Sequence, residues 1–419
     1  MPDLTDIFYF EKSNWIRTIF WNSLYVAFLL LPLGINLPTP FFVGAIALGV
    51  VNIFQSKTDF VSDNKALLLL PLYFVLGALS LFYTHDLSAG IELLIRSLSL
   101  LFFPIIFLFV KEDASTVKKL FDFLLVGLIL SFFVNVGIAL QDSLADIDKV
   151  DYNSVYGFFD SIAYGFDNFI GGQFSSLVNP SYLSLYILLV LSYYLKKKMK
   201  SVLQLVVLLI LFLYIFLLAS KAAYLVLFIM TLLFVIKIRD KNQQYMALVI
   251  LLLGLIVFLN NPRIFDFYQR IKDYDRTEQY NELASEKSRL QSWDASVQLI
   301  KEQPIFGYGL GDANQVLIDK YEELEYNRNK EEKYNAHNQF LQTMLQTGIL
   351  GLGVLITIFI VLGKRLRRSK NEFAVFLILF VSLFFESMLV RFNGIVFLSI
   401  IIPLLLKKRS ILSSRIIRN

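Results

Sequence analysis

The sequence predicts an all-α integral membrane protein with about twelve transmembrane helices, both termini on the cytoplasmic side, and one large, partly helical loop facing outward between spans nine and ten. Three observations lead there. The 419 residues are 56% hydrophobic and only 17% charged, with a mean hydropathy of +0.61. Soluble domains average about 45–50% apolar and about 25% charged. The apolar excess falls in repeated runs, each near the length of about 20 helical residues that crosses a bilayer. Lysine and arginine, finally, sit in alternate loops.

Taken in order, the predicted spans are 15–33, 37–55, 65–83, 90–110, 118–140, 179–196, 201–219, 221–238, 244–260, 337–362, 371–389 and 393–407. The first is read as a retained span, because Met1-Pro2-Asp3-Leu4-Thr5-Asp6 lacks the basic start of a signal peptide. Residues 201–238 are nearly continuous apolar sequence, broken by Leu218-Ala219-Ser220-Lys221, which reads as a tight helical hairpin. One set of loops, with both termini, carries about 24 lysines and arginines against about 3 (Lys149, Lys221, Arg391) in the alternate short loops. The positive set marks the cytoplasmic side. The organisation expected is therefore 1–260 for spans one to nine, with an acidic outer loop at 141–178, then the polar loop 261–336, then 337–419 for the last three spans and a basic tail.

Within the polar loop, Ser285 to Glu302 reads as a helix whose apolar face is marked by Leu290, Trp293, Val297 and Ile300. Arg289 lies one turn before Trp293. Pro304 ends the helix, Gly307-Tyr308-Gly309-Leu310-Gly311 makes a tight turn, and the charged stretch 319–335 reads as a solvated helix or mobile flap.

Charges near membrane depth are costly, about 2.5–3.5 kcal/mol on an insertion scale, and so pair or line polar cavities. Glu92, Arg96, Lys221, Glu386 and Arg391 all fall toward the outer ends of their spans, which predicts a shared outer cavity. Each has two readings. Glu92 and Arg96, spaced i, i+4, form a self-neutralised pair or an anion contact. Lys221 is a snorkelling lysine or a cation beside a phosphate. Arg289 is solvated or grips a phosphate oxygen with its planar fork. Glu386 and Arg391 make a structural pair or touch substrate.

The chain has two histidines. His337 opens the apolar run after the polar loop, in Ala336-His337-Asn338-Gln339-Phe340-Leu341-Gln342, where an imidazole that titrates near neutrality serves as a base or simply as a satisfied helix start. His85 lies in Thr84-His85-Asp86 without a supporting pattern. The glycine turn mimics a dinucleotide fingerprint but follows a helix and a proline rather than a strand. Asp146-Ile147-Asp148 sits in an acidic loop and reads as solvated. Cysteine is absent, so no disulfide framework or thiolate metal site is expected.

At three stretches the chain resembles the O-antigen ligase-like family of bacterial polytopic membrane glycosyltransferases, which includes repeat-unit polymerases and protein O-oligosaccharyltransferases. The stretches are Leu217-Leu218-Ala219-Ser220-Lys221-Ala222-Ala223; Arg289 through Trp293 to Pro304 and the glycine turn; and His337-Asn338-Gln339-Phe340-Leu341-Gln342 with Gly348 and Gly351. Lys221 stands where the family usually has arginine, which keeps the charge and loses the fork.

The resemblance implies a protein of the bacterial inner membrane with its active site facing the periplasm. The implied donor is a glycan on undecaprenyl pyrophosphate, and the implied acceptor is a hydroxyl of lipid A-core, another glycan or a protein. No cofactor, metal or nucleic acid is expected. His337 and Arg289 are the expected catalytic residues, with Lys221, Arg96, Arg391, Glu386, Asn338 and Trp293 contacting substrate. His337 would orient or deprotonate the acceptor, while the cations would neutralise the departing phosphate. Trp293 and the tyrosines at 321, 326 and 334 are candidates for stacking on sugars, with Trp293 also read as an anchor for the loop helix. The alternatives are a repeat-unit polymerase and, in a different class, a lipid-linked sugar transporter or flippase.

Overall fold

The computed structural model describes residues 7–55, 62–110, 112–145, 166–194, 201–235, 285–367 and 370–407. Among these the regular elements are helical. They are α1 (Trp15–Leu30), α2 (Thr39–Gln55), α3 (Leu69–Ser80), α4 (Leu87–Arg96), α5 (Ser99–Phe109), α6 (Ala114–Ala145), α7 (Pro180–Tyr194), α8 (Val202–Leu218), α9 (Lys221–Val235), α10 (Ser285–Glu302), α11 (Ala313–Glu323), α12 (Asn327–Glu331), α13 (Gln339–Leu366), α14 (Lys370–Phe385) and α15 (Phe392–Leu406).

Four stretches are long and apolar enough to cross a membrane: Trp15–Leu33, Leu87–Phe109, Ala114–Ser143 and Gln339–Leu366. Shorter apolar helices occupy the other predicted spans, save 244–260, which lies outside the described residues together with 261–284 and Asp146 and Asp148. In a bilayer every backbone polar group must be paired within the chain, and a helix does this locally.

The chain divides into two compact units, each assembled from separate stretches. The first takes Met1–Phe10, Trp21–Val43 and Ser115–Asn261. Here α6 crosses the end of α1 at Gly127, where a Cβ would lie 2.1 Å from the Leu29 carbonyl oxygen. The crossing is sealed by a buried polar cluster. Ser131 donates to the Pro32 carbonyl (2.7 Å) and lies 2.8 Å from the Tyr214 hydroxyl, to which Asn135 donates at 2.7 Å. The predicted break between α8 and α9 is present. Ala219 takes a left-handed φ of 47°, and the Tyr224 hydroxyl donates back to the Phe216 carbonyl.

The second unit takes Glu11–Phe20, Gly44–Ala114 and Pro262–Asn419. Its centre is α13, the span expected over 337–362, and the helix is bent. Phe340 and Phe359 pack with ring centroids 5.7 Å apart. Nineteen residues of straight helix would part them by about 28 Å. The chain bends sharply at Gly348, whose φ of 59° and ψ of −155° are not helical and suit a residue without a Cβ.

Two arms result. The long arm, Ile349 to Leu366, measures about 27 Å, close to the hydrocarbon thickness of about 30 Å. The short arm, Gln339 to Thr347, buries Gln339, Gln342, Thr343, Gln346 and Thr347. Such groups cost free energy unless bonded, and the surrounding elements supply partners. Gln339 accepts from the Leu389 amide (2.6 Å) and donates to Thr343 (3.1 Å), which meets the Tyr73 hydroxyl at 2.9 Å. Gln342 accepts from the Ala336 amide and donates to Asn314. Thus α3, α11 and the turn after α14 are all tied to the short arm.

Candidate functional site

The polar helix α10 spans the predicted residues, but its buried face is not the predicted one. Leu290 and Val297 are exposed, while Ser288, Ser292, Ala295, Ser296 and Leu299 are buried. Small side chains allow close approach, and the Ser292 and Ser296 hydroxyls are satisfied by the carbonyls one turn back. Ala295, Leu299, Ala313, Leu317, Tyr321, Ala336 and Leu345 form one apolar cluster. Asn329, fully buried, donates to the Ser288 carbonyl and the Ser292 hydroxyl. Residues 319–335 are therefore part of a packed layer rather than a flap. Tyr321 is core, which removes it as a sugar platform, and Tyr326 donates to Asp294.

The glycine turn is a backbone wedge. Tyr308 and Gly309 amides donate to the Leu345 and Gln346 carbonyls, and Ile349 donates to the Pro304 carbonyl. On the other side, Leu310 and Gly311 amides donate to Ser80 and Thr84 hydroxyls. A Cβ at 311 would lie 2.0 Å from the Asp86 carbonyl oxygen. The Asp312 carboxylate then accepts from the His85 and Asp86 amides at 2.7 and 2.8 Å. Burial would raise the Asp312 carboxyl, but these amide bonds and the nearby His85 outweigh it and hold the group below its ordinary value. The glycines thus serve packing, and His85 acts here through its backbone.

This wedge fixes α10 to α12 against the short arm, at whose start His337 stands. His337 has a left-handed φ of 45°, an uncommon conformation for a residue with a Cβ. Its amide donates to Asn335 (2.9 Å). Asn338 caps the short arm, accepting from the Phe340 and Leu341 amides at 2.9 and 3.2 Å. Asn338 therefore acts as a helix cap. Strained backbone that neighbours over-determine is concentrated at functional sites.

The imidazole is aimed by two contacts. Tyr334 packs edge-on to it, with centroids 5.0 Å apart. Nδ1 straddles the Glu386 carboxylate at 3.3 and 3.4 Å. These separations are long for a hydrogen bond, as is common for catalytic pairs without substrate. Nδ1 is thus the ring nitrogen that meets the carboxylate.

Glu386 is buried, and both Arg289 and Arg391 act electrostatically on its carboxylate. Arg96, paired with Glu92, also reaches the Val390 carbonyl at 3.4 Å. Arg96 and His337 thus both contact one turn, 386–391, which also carries Arg391, and Arg289 acts on its carboxylate electrostatically. Trp293 packs against Phe384 and Phe385 (5.5 and 6.2 Å) at the end of α14, the anchor reading. Lys221 lies in the first unit, at the start of α9. Among the described residues no three His, Asp or Glu side chains form a group able to hold a metal ion.

Sequence reasoning missed the pairing of Glu386 with His337 and the bracing role of Gln339. The costly burial of Glu386 was visible, but its partner was 49 positions away.

Helices long and apolar enough to cross a membrane, carrying a polar helical layer over a charged turn, define the class: a multi-pass membrane protein. Residues 206–356 match a family model described as O-Antigen ligase. That stretch contains Lys221, Arg289, Trp293, His337, Asn338 and Gly348, and so carries an O-antigen ligase-type domain. No curated protein matches the chain.

Proposed function

We propose that the protein is a metal-independent, inverting glycosyltransferase that moves a glycan from undecaprenyl pyrophosphate to an acceptor hydroxyl, in the manner of an O-antigen ligase, at the periplasmic face of the bacterial inner membrane. The observation that carries the reading is the His337–Glu386 pair flanked by Arg289 and Arg391. A base oriented by a buried carboxylate is the arrangement that activates a hydroxyl.

In this reading Nε2 of His337 takes the proton of the acceptor hydroxyl as its oxygen attacks the anomeric carbon. The bond from that carbon to the pyrophosphate oxygen breaks, and its electron pair leaves with the phosphate. A single displacement inverts the anomeric centre. Glu386 stabilises the imidazolium that forms. Arg289 and Arg391 both act electrostatically on Glu386, and their positive charge is available to meet the developing phosphate charge, which is where fixed charges contribute most to rate. Lys221 is proposed as a further cation for the donor on the resemblance, with Arg96 as a helper.

The testing experiment uses purified protein in lipid with undecaprenyl-pyrophosphate-linked glycan and acceptor. His337→Ala should lower turnover by about 100–10,000-fold. Unchanged turnover removes the base. Arg289→Ala should weaken binding of the lipid pyrophosphate, and undiminished binding removes that contact.

A further inference from the structure

We propose that the tip of the glycine wedge, Ile305 and Phe306, is seated in the acyl chains of the bilayer, so that the polar helical layer is moored to the membrane by its own loop. Both side chains are 56% exposed, although the wedge around them is firmly bonded. Tyr83, after the end of α3, donates its hydroxyl to the Phe306 carbonyl at 2.7 Å, and Phe82, next to it in sequence, is 87% exposed. The Tyr83 and Phe306 rings pack 6.2 Å apart. Ile349 and Leu350, the first residues of the long arm of α13, are also exposed.

Three chain segments therefore offer large apolar side chains around one spot, and the stretch 304–311 carries no charge between Glu302 and Asp312. A patch of this kind on a rigid scaffold marks an interaction site. Its occupant follows from continuity. Ile349 begins an arm whose length of about 27 Å nearly fills the hydrocarbon layer, so it stands at the edge of that layer. Its amide is bonded to the Pro304 carbonyl, which puts Ile305 at the same level. Phe82 and Tyr83 supply the aromatic side chains found at that boundary. The inference needs the membrane-crossing arm but not the glycosyl-transfer reading.

The chain contains no cysteine, so Phe306→Cys and Ile305→Cys each provide a single thiol for a nitroxide label. The full-length protein is placed in phosphatidylethanolamine–phosphatidylglycerol liposomes, and label collisions are measured with oxygen and with a water-soluble nickel chelate. Ile356→Cys, on the exposed side of the long arm, is the lipid reference, and Lys301→Cys, exposed on α10, the water reference. Both test positions should favour oxygen over nickel several-fold relative to 301, and approach 356. Nickel access at 305 and 306 equal to that at 301 overturns the proposal. So does exclusion of both reagents, which would mean that a protein surface, a second copy or a partner, covers the tip.

Discussion

Glu386 holds the Nδ1 edge of His337 between its two carboxylate oxygens, at 3.3 and 3.4 Å, while Arg289 and Arg391 act electrostatically on the same carboxylate. The charge, not the shape, of residue 386 is therefore what the imidazole feels. Glu386→Gln keeps size and hydrogen-bonding capacity and removes the charge that stabilises an imidazolium. Turnover should fall by about 10–1000-fold, with little change in donor binding. A kcat/KM measurement in lipid checks this, and equal loss in donor affinity would assign Glu386 to structure instead.

Gln339 braces the turn that presents Glu386 and Arg391. Gln339→Leu leaves the buried Leu389 amide without its acceptor. A buried donor left unpaired costs about 1–3 kcal/mol. Thermal unfolding in detergent should show a lower Tm. An unchanged Tm would mean that another acceptor replaces the glutamine.

Gly348 allows the two arms of α13 to meet. Gly348→Ala places a Cβ where the Ile305 carbonyl oxygen lies at 2.1 Å, in a conformation that costs about 1–3 kcal/mol for the backbone alone. The variant should lose the monodisperse peak in size-exclusion chromatography or unfold at clearly lower temperature. Gly353→Ala, where an added Cβ meets nothing, should behave as wild type.

Asp312 makes the junction between the wedge and residues 85–86 sensitive to acid. Its carboxyl lies below the ordinary value, so the folded state favours the ionised form. The stabilisation is present above the ordinary aspartate pKa of about 3.9 and is lost as pH falls through the depressed value. Hydrogen exchange of the His85 and Asp86 amides in nanodiscs should stay slow, after correction for intrinsic rates, from neutral pH to about 4 and accelerate below it. Asp312→Asn should flatten that transition.

The acceptor is decided by products. Single transfer to each acceptor fits ligation, whereas a ladder of long chains on a gel would identify a polymerase. Transport of labelled lipid-linked sugar without glycosidic bond formation would support the flippase reading.

Much of the architecture was legible because membrane helices announce themselves by length and apolarity. The positions of α10 and of the break at Ala219 followed from local chemistry: a 3–4 periodicity and a polar interruption. What misled was contact with non-local partners. The apolar periodicity of Leu290 and Val297 marked the exposed side of α10, because Ser292 and Ser296 opposite satisfy their hydroxyls internally and pack as small residues. Of the two readings of residues 319–335, the helical one with exposed charges holds, and what sequence did not show is that Tyr321 and Asn329 anchor the stretch inward. The bend inside the span expected over 337–362 was not legible, because a glycine carries no sign of its backbone angles. The convergence of His337 with Glu386 required that bend to be known first.

The bend at Gly348 also orders events during biogenesis. The short arm buries five uncharged polar side chains, and a decisive partner, the Leu389 backbone, is translated only after the long arm and α14 have emerged. Until then Gln339 lacks the acceptor-seeking amide that locks it, and His337 has no carboxylate to face. A nascent chain that stalls before residue 386 thus holds neither the carboxylate that faces His337 nor the amide that binds Gln339.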